Sequence, residues 1–300
     1  MPPISGEAAG SLLGAQGAKP LWDDLAGDGF DLEQPDEDIA TAVVTSVSGP
    51  WLYCFHPTIN PSSKPRSVLI LGGGGYVQLM VGREGLAVAK WLAGLGFYAF
   101  VLVHRFPTAE TLPQAPVDDA RRALVIIQEW SRELVARDWD SIGVCGLSSG
   151  GHLAASLLAA YPQGWRPRSS ELPPRLDFAI IGYGPISTNA KGRTIVAEKA
   201  PLEPPEKQEL YDTVQPDVQL KAGAPPTFIV YSGSDPVVPG VNAYRLAEGL
   251  TQAGSQVELH VFADAPHGFA LDIKDLPVSE WPEICASWMK QVGLREASQN

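Results

Sequence analysis

The chain is poor in cysteine, in histidine, in basic relative to acidic residues, and in long apolar runs. Its three cysteines, Cys54, Cys145 and Cys285, are spread over 300 residues. They cannot all pair, and each sits in a strand-like or helix-like apolar run. Buried free thiols are therefore expected, not a disulfide scaffold. No segment reaches the roughly 18 consecutive apolar residues that a membrane span needs. No basic residue precedes Lys19, and the apolar stretches near the N-terminus are too short for a signal sequence. A soluble protein of a reducing compartment, the cytoplasm, is the expectation. With 22 basic and 34 acidic residues the formal charge is −12. That balance excludes the basic footprint of a nucleic-acid binder or of a protein held on anionic lipid. No His/Cys cluster has zinc-ligand spacing, so neither a metal nor a cofactor is expected.

What is present is a globular composition, with 45% hydrophobic and 19% charged residues, long enough for one large α/β domain. Residues 1–20 are rich in Gly and Ala and lack periodicity. Residues 21–38 carry Asp23, Asp24, Asp28, Asp31, Glu33, Asp36, Glu37 and Asp38 with no Lys or Arg. Residues 1–38 are thus read as a solvated tail and not as a metal site or partner-binding arm. Thr41–Val47 and Trp51–Phe55 are strand-like and are separated by Ser48-Gly49-Pro50, which suggests a hairpin.

From Ser67 onward strands and helices alternate. Strands are expected at Ser67–Leu71, Phe97–Val103, Ile142–Cys145, Phe178–Ile181, Thr227–Tyr231 and Val257–Phe262. Helices are expected at Glu84–Leu95, Val117–Ala136, after Ser149, at Val241–Ala253 and at Val278–Val292. Continuous apolar strands between helices argue for a mostly parallel central sheet with helices on both faces. Residues 184–226, rich in Pro, Lys and Glu, break the rhythm and read as a lid-like or substrate-loop insert. The expected organisation is one domain over residues 39–295.

The chemistry centres on Gly146-Leu147-Ser148-Ser149-Gly150, a G-x-S-x-G pentapeptide between an apolar strand and a helix. A serine on so sharp a turn is strained and exposed, and the glycines allow strand and helix to approach closely. A serine hydroxyl needs a neighbouring base, and the base needs a partner that fixes its tautomer. Of the five histidines, His267 stands in a turn after the last strand, at the sheet edge that also carries Ser148. His152 lies on the helix leaving the turn and reads as packing or hydrogen bonding at the helix start. The acid should follow another strand between serine and histidine. Asp235 does so, and Asp264, three residues before His267, is its rival. Gly72-Gly73-Gly74-Gly75-Tyr76 follows the first parallel strand and can turn backbone N–H groups toward a substrate oxygen. No Lys-Ser/Thr follows it, as a phosphate-binding loop would require.

This order of glycine loop, Ser148, Asp235 and His267 resembles the α/β-hydrolase superfamily. Leu71–Tyr76, Arg83-Glu84-Gly85, Gly146–Ala154, Asp235–Pro239 and Phe262–Phe269 resemble the branch of acetylxylan-esterase-like and feruloyl-esterase-like carbohydrate esterases. The resemblance implies an α/β-hydrolase fold, Ser148, Asp235 and His267 as catalytic residues, and Gly74, Gly75 and Ser149 at the oxyanion; Tyr76, at the mouth of the glycine loop, is read as shaping the substrate pocket together with the 184–226 insert. It also has departures. Gly72 stands where relatives usually have His or Pro, Ser149 where many have Ala, and His104-Arg105 where many have Tyr-Arg. Arg105 either orients the glycine loop or pairs with an acid.

The implied function is a serine carboxylesterase that cleaves short-chain, above all acetyl, esters on carbohydrate-type substrates. An amide or lactone hydrolase with the same triad, aryl-formamidase-like or dienelactone-hydrolase-like, is the alternative. A non-catalytic small-molecule-binding hydrolase fold is the remaining one. The expected partner is a small-molecule ester. A homo-oligomer is compatible with the sequence but nothing indicates one.

Overall fold

The structure, a computed structural model, describes residues 3–34, 38–59, 64–195 and 200–294. Asp36 and Glu37 of the acidic run, residues 196–199 of the insert and residue 295 lie outside the described residues. In chain order the elements are β1 (Ile4–Ser5), α1 (Gly6–Leu13), β2 (Gly17–Pro20), β3 (Gly29–Glu33), β4 (Val43–Val47), β5 (Trp51–Phe55), β6 (Arg66–Leu71), α2 (Ala87–Gly94), β7 (Tyr98–Val103), α3 (Ala115–Leu134), β8 (Ser141–Leu147), α4 (Ser149–Leu158), β9 (Phe178–Gly182), α5 (Pro205–Thr213), α6 (Pro216–Gln219), β10 (Thr227–Ser232), α7 (Val241–Gln252), β11 (Val257–Phe262) and α8 (Trp281–Gln291). A π-helical turn, Val81–Leu86, leads into α2. Among the described residues no helix is long and apolar enough to cross a membrane.

The main sheet has the order β11-β10-β9-β8-β6-β7-β5-β2. The strands from β11 to β7 are parallel to their neighbours, while β5 runs antiparallel to β7 and β2 antiparallel to β5. Strands β5 to β10 are buried along their whole length. That burial explains their unbroken apolar runs, since both faces are covered by helices or loops. Each strand expected from Ser67 onward is present.

Two expectations for the N-terminal part are corrected. Residues 4–33 are not a tail. They supply α1, the edge strand β2 and two strands of a small β1-β3-β4 sheet. What fastens them comes from far along the chain, which is why local sequence does not reveal it. The Tyr53 hydroxyl donates to the Gly6 carbonyl at 2.9 Å. Lys19 pairs with Glu133 of α3 at 2.6 Å and lies 4.6 Å from the Trp130 ring centroid. The acidic run is also partly engaged, since Asp24 pairs with Arg168 at 2.5 Å. Nor do β4 and β5 form a hairpin. β4 pairs with β3, β5 with β2 and β7, and Ser48-Gly49-Pro50 is a corner between two sheets. The Ser48 and Gly49 N–H groups donate to the Gly29 carbonyl there. A Cβ on Gly49 would stand 2.5 Å from the Asp28 carbonyl oxygen, so only glycine fits the corner.

Arg105 takes the second of its two roles. Its guanidinium and backbone N–H bond the buried carboxylate of Asp119 in α3, which also accepts the Trp22 indole N–H at 2.7 Å. Removing one partner of a buried ion pair leaves the other uncompensated, at a cost of about 3–5 kcal/mol. Asp119→Ala should lose about that much stability, measured by equilibrium urea unfolding. The three thiols are all buried. Burial pushes the Cys54 and Cys145 thiols up to about 12. Ellman's reagent should therefore titrate no thiol in the folded protein at neutral pH and all three after unfolding.

Candidate active site

The glycine loop leaves β6, Ser148 leaves β8, Asp235 follows β10 and His267 follows β11. These are parallel strands, so all four segments emerge at one edge of the sheet. Ser148 has φ 54° and ψ −127°, a conformation that L-residues rarely adopt. Its neighbours hold it there. Its N–H donates to the Gly182 carbonyl at 3.0 Å, and its carbonyl accepts the Gly151 and His152 N–H groups at 2.8 and 3.2 Å. The pentapeptide glycines are required by contact. A Cβ on Gly146 would stand 2.1 Å from the Gly150 carbonyl oxygen, and one on Gly150 2.0 Å from that of Leu71.

The structure brings Ser148, His267 and Asp235 into one line. Ser148 Oγ lies 2.9 Å from His267 Nε2, and His267 Nδ1 lies 2.8 Å from Asp235 Oδ2. A carboxylate only accepts, so Nδ1 carries the proton and Nε2 is left as the acceptor for the serine hydroxyl. Asp235 is itself fixed, because its Oδ1 accepts the Val237 and Val238 N–H groups, each at 2.8 Å. Its side chain is fully buried, while that of His267 is 20% exposed, enough to meet a substrate. Asp264, the rival acid, accepts the Ser234 hydroxyl at 2.7 Å instead. In this geometry a proton can pass from Ser148 Oγ to His267 Nε2 while Asp235 stays ionised.

Ser148 opens into a cavity of about 530 Å³. Gly74, Gly75 and Ser149 are among its lining residues. Gly74 has φ 131°, and a Cβ there would stand 2.2 Å from the Gln78 carbonyl oxygen. Among the described residues, neither the Gly74 nor the Ser149 N–H is seen bonded to a protein acceptor, so both are available as donors. Gly75 differs from expectation. Its N–H donates to the Ser149 hydroxyl at 2.9 Å and is engaged in the free site. The 184–226 insert supplies one wall through Pro185, Asn189, Leu202, Lys207 and Tyr211.

Tyr76 is corrected outright. It is 1% exposed and does not line this cavity. Its hydroxyl bonds His152 Nδ1 at 2.9 Å, and His152 Nε2 bonds the Val214 carbonyl at 2.9 Å. A carbonyl only accepts, so Nε2 carries the His152 proton and Nδ1 accepts from the tyrosine. Burial pulls the His152 pKa down to about 4, which keeps the ring neutral. Tyr76 thus ties the glycine loop to α4 and the insert. Sequence reasoning gave no separate role to Glu84, which lines the cavity, and passed over Tyr183; both are buried. The available signals were a carboxylate inside an apolar helical run and a tyrosine directly after an apolar strand.

The profile of the BD-FAE family matches residues 54–250. An acetylxylan esterase of Xylanibacter ruminicola is 26% identical over 80% of this chain, and an endo-1,4-beta-xylanase B of Butyrivibrio fibrisolvens is 26% identical over 73%. The chain spans 48% of the first relative's length and 35% of the second's. A crystal structure of an acetyl ester-xyloside bifunctional hydrolase from Caldicellulosiruptor lactoaceticus superposes with a TM-score of 0.70 at 26% identity, over 94% of this chain and 98% of that one. The fold is that of the α/β-hydrolase esterases, and the chain belongs to the BD-FAE family.

Proposed function

We propose that this protein is a serine carboxylic ester hydrolase that cleaves short-chain esters, acetyl above all, from carbohydrate-type substrates. The observation that carries the reading is the Ser148–His267–Asp235 line, with its serine end opening into the cavity. The names of the relatives support the acyl group and the substrate class.

In the first step His267 Nε2 takes the Ser148 proton as Oγ attacks the ester carbonyl. The Gly74 and Ser149 N–H groups donate to the developing oxyanion, and Gly75 joins them once its bond to the Ser149 hydroxyl opens. Imidazolium His267 then protonates the leaving alcohol, and an acyl-Ser148 remains. Water, deprotonated by the same nitrogen, attacks the acyl carbon and releases the acid, restoring the serine. Asp235 stays ionised throughout and holds the imidazole in orientation.

Ser148→Ala should lower turnover of p-nitrophenyl acetate by at least about 10⁴-fold, with the circular dichroism spectrum unchanged. Retained turnover would overturn the reading. Ser149→Ala keeps the backbone N–H and removes the hydroxyl that engages Gly75. It should raise kcat on acetate esters by up to about fivefold, the worth of one net hydrogen bond. A saturation curve for each protein on the same ester tests this.

A further inference from the structure

Arg83 and Glu84 are consecutive residues of the π-helical turn Val81–Leu86, and each fastens part of the site. Short π-helical segments concentrate at functional sites. Glu84 is 3% exposed. Its Oε2 accepts the Gly73 N–H at 2.7 Å, which fixes the peptide leading into Gly74. Its Oε1 accepts the Tyr183 hydroxyl at 2.9 Å, and the Tyr183 oxygen accepts the Ala270 N–H at 3.2 Å. Arg83 grips the Asp272 carboxylate through Nε and a terminal nitrogen, at 2.8 and 2.7 Å. Ala270 and Asp272 belong to the loop that carries His267. One turn therefore holds the glycine loop on one side and the histidine loop on the other.

The carboxylate is more than a spacer. Glu84 and His267 line the same cavity, and a Cβ on Gly268 would stand 3.7 Å from Glu84 Oε1. Among the described residues, the titratable groups that interact with Glu84 are Arg83 in its own turn, Tyr183 after β9, Cys145 in β8 and His267 after β11. Of these, Asp272 occupies Arg83 and Asp235 is the other carboxylate on His267. Burial raises the Glu84 carboxyl above its ordinary value, opposed by the Gly73 and Tyr183 donors and by His267 and Arg83. All the bonds drawn to its two oxygens suit the ionised form.

We propose that Glu84 is a positioning residue of this site. By holding the Gly73 N–H it sets the loop so that the Gly74 N–H faces the oxyanion and, as a second carboxylate, it balances the positive charge that His267 gains during the reaction. The inference rests on the serine-hydrolase reading above.

Glu84→Gln keeps an acceptor for Gly73 and removes the charge. Its kcat on p-nitrophenyl acetate should fall about tenfold, with KM within about twofold, because the lost interaction is made mainly in the transition state. A negative charge favours imidazolium, so its removal makes His267 easier to deprotonate. The acid limb of kcat/KM should therefore move to lower pH. Glu84→Ala also releases Gly73, and its kcat should fall by about 100-fold or more. If the alanine variant does not fold, Glu84→Gln and Tyr183→Phe carry the test, the latter expected to lower kcat with the acid limb unmoved. A folded Glu84→Gln protein with wild-type kcat and an unmoved acid limb overturns the proposal. Labelling of wild-type Ser148 by a fluorophosphonate checks the underlying reading separately. An unlabelled, inactive wild type overturns that reading and this proposal with it.

Discussion

The backbone at Ser148 stands at φ 54°, a geometry that costs a non-glycine residue about 1–3 kcal/mol. Nothing in the pentapeptide supplies that energy. It comes from the crossing of β6, β8, β9 and α4, which approach so closely that Gly146 and Gly150 leave no room for a Cβ. The N–H and carbonyl of Ser148 are both taken up, by β9 and by the first turn of α4. With the backbone fixed from both sides, the hydroxyl is aimed at His267 before any substrate arrives. Exposure, direction and the free N–H of Ser149 are three results of this one crossing.

The rest of the site is arranged around the same edge by separate fastenings. Asp235 is held by two backbone donors, the glycine loop by Glu84 and by Tyr76, and the histidine loop by Arg83 and Tyr183. Loops after parallel strands would otherwise be the most mobile parts of such a fold. Here each is tied down by a buried or charge-assisted bond, and the turn Val81–Leu86 fastens two of them. The insert adds one wall of the cavity beside Ser148 and His267.

The parts legible from sequence were those whose signal is local. Unbroken apolar strands disclosed the sheet, and turn-bound Ser148, Asp235 and His267 disclosed the line that the structure brings together. The parts that escaped depend on contacts between distant segments. β2 looks like a featureless Gly/Ala stretch because its partners, β5 and Trp130, lie 31 residues and more further on. Tyr76 looked like a pocket residue because it follows four glycines, yet the cage of His104, His152 and Tyr211 around it is assembled only in three dimensions. The partner of Arg105 was open for the same reason, since an arginine after a strand says nothing about which helix will bury an aspartate against it.

The edge strand β2 also bears on how the chain survives its own synthesis. Its neighbour β5 reads Trp-Leu-Tyr-Cys-Phe and is buried at every position. Left uncovered, such a strand is a flat, uncharged template for pairing with other copies. The segment that covers it is made first and carries Lys19 and Pro20 at its outer end, residues that resist further strand addition. By the time the sticky strand leaves the ribosome, its cover is already in solution beside it. Residues 17–20, laid along that strand, thus double as a guard against its pairing with other copies.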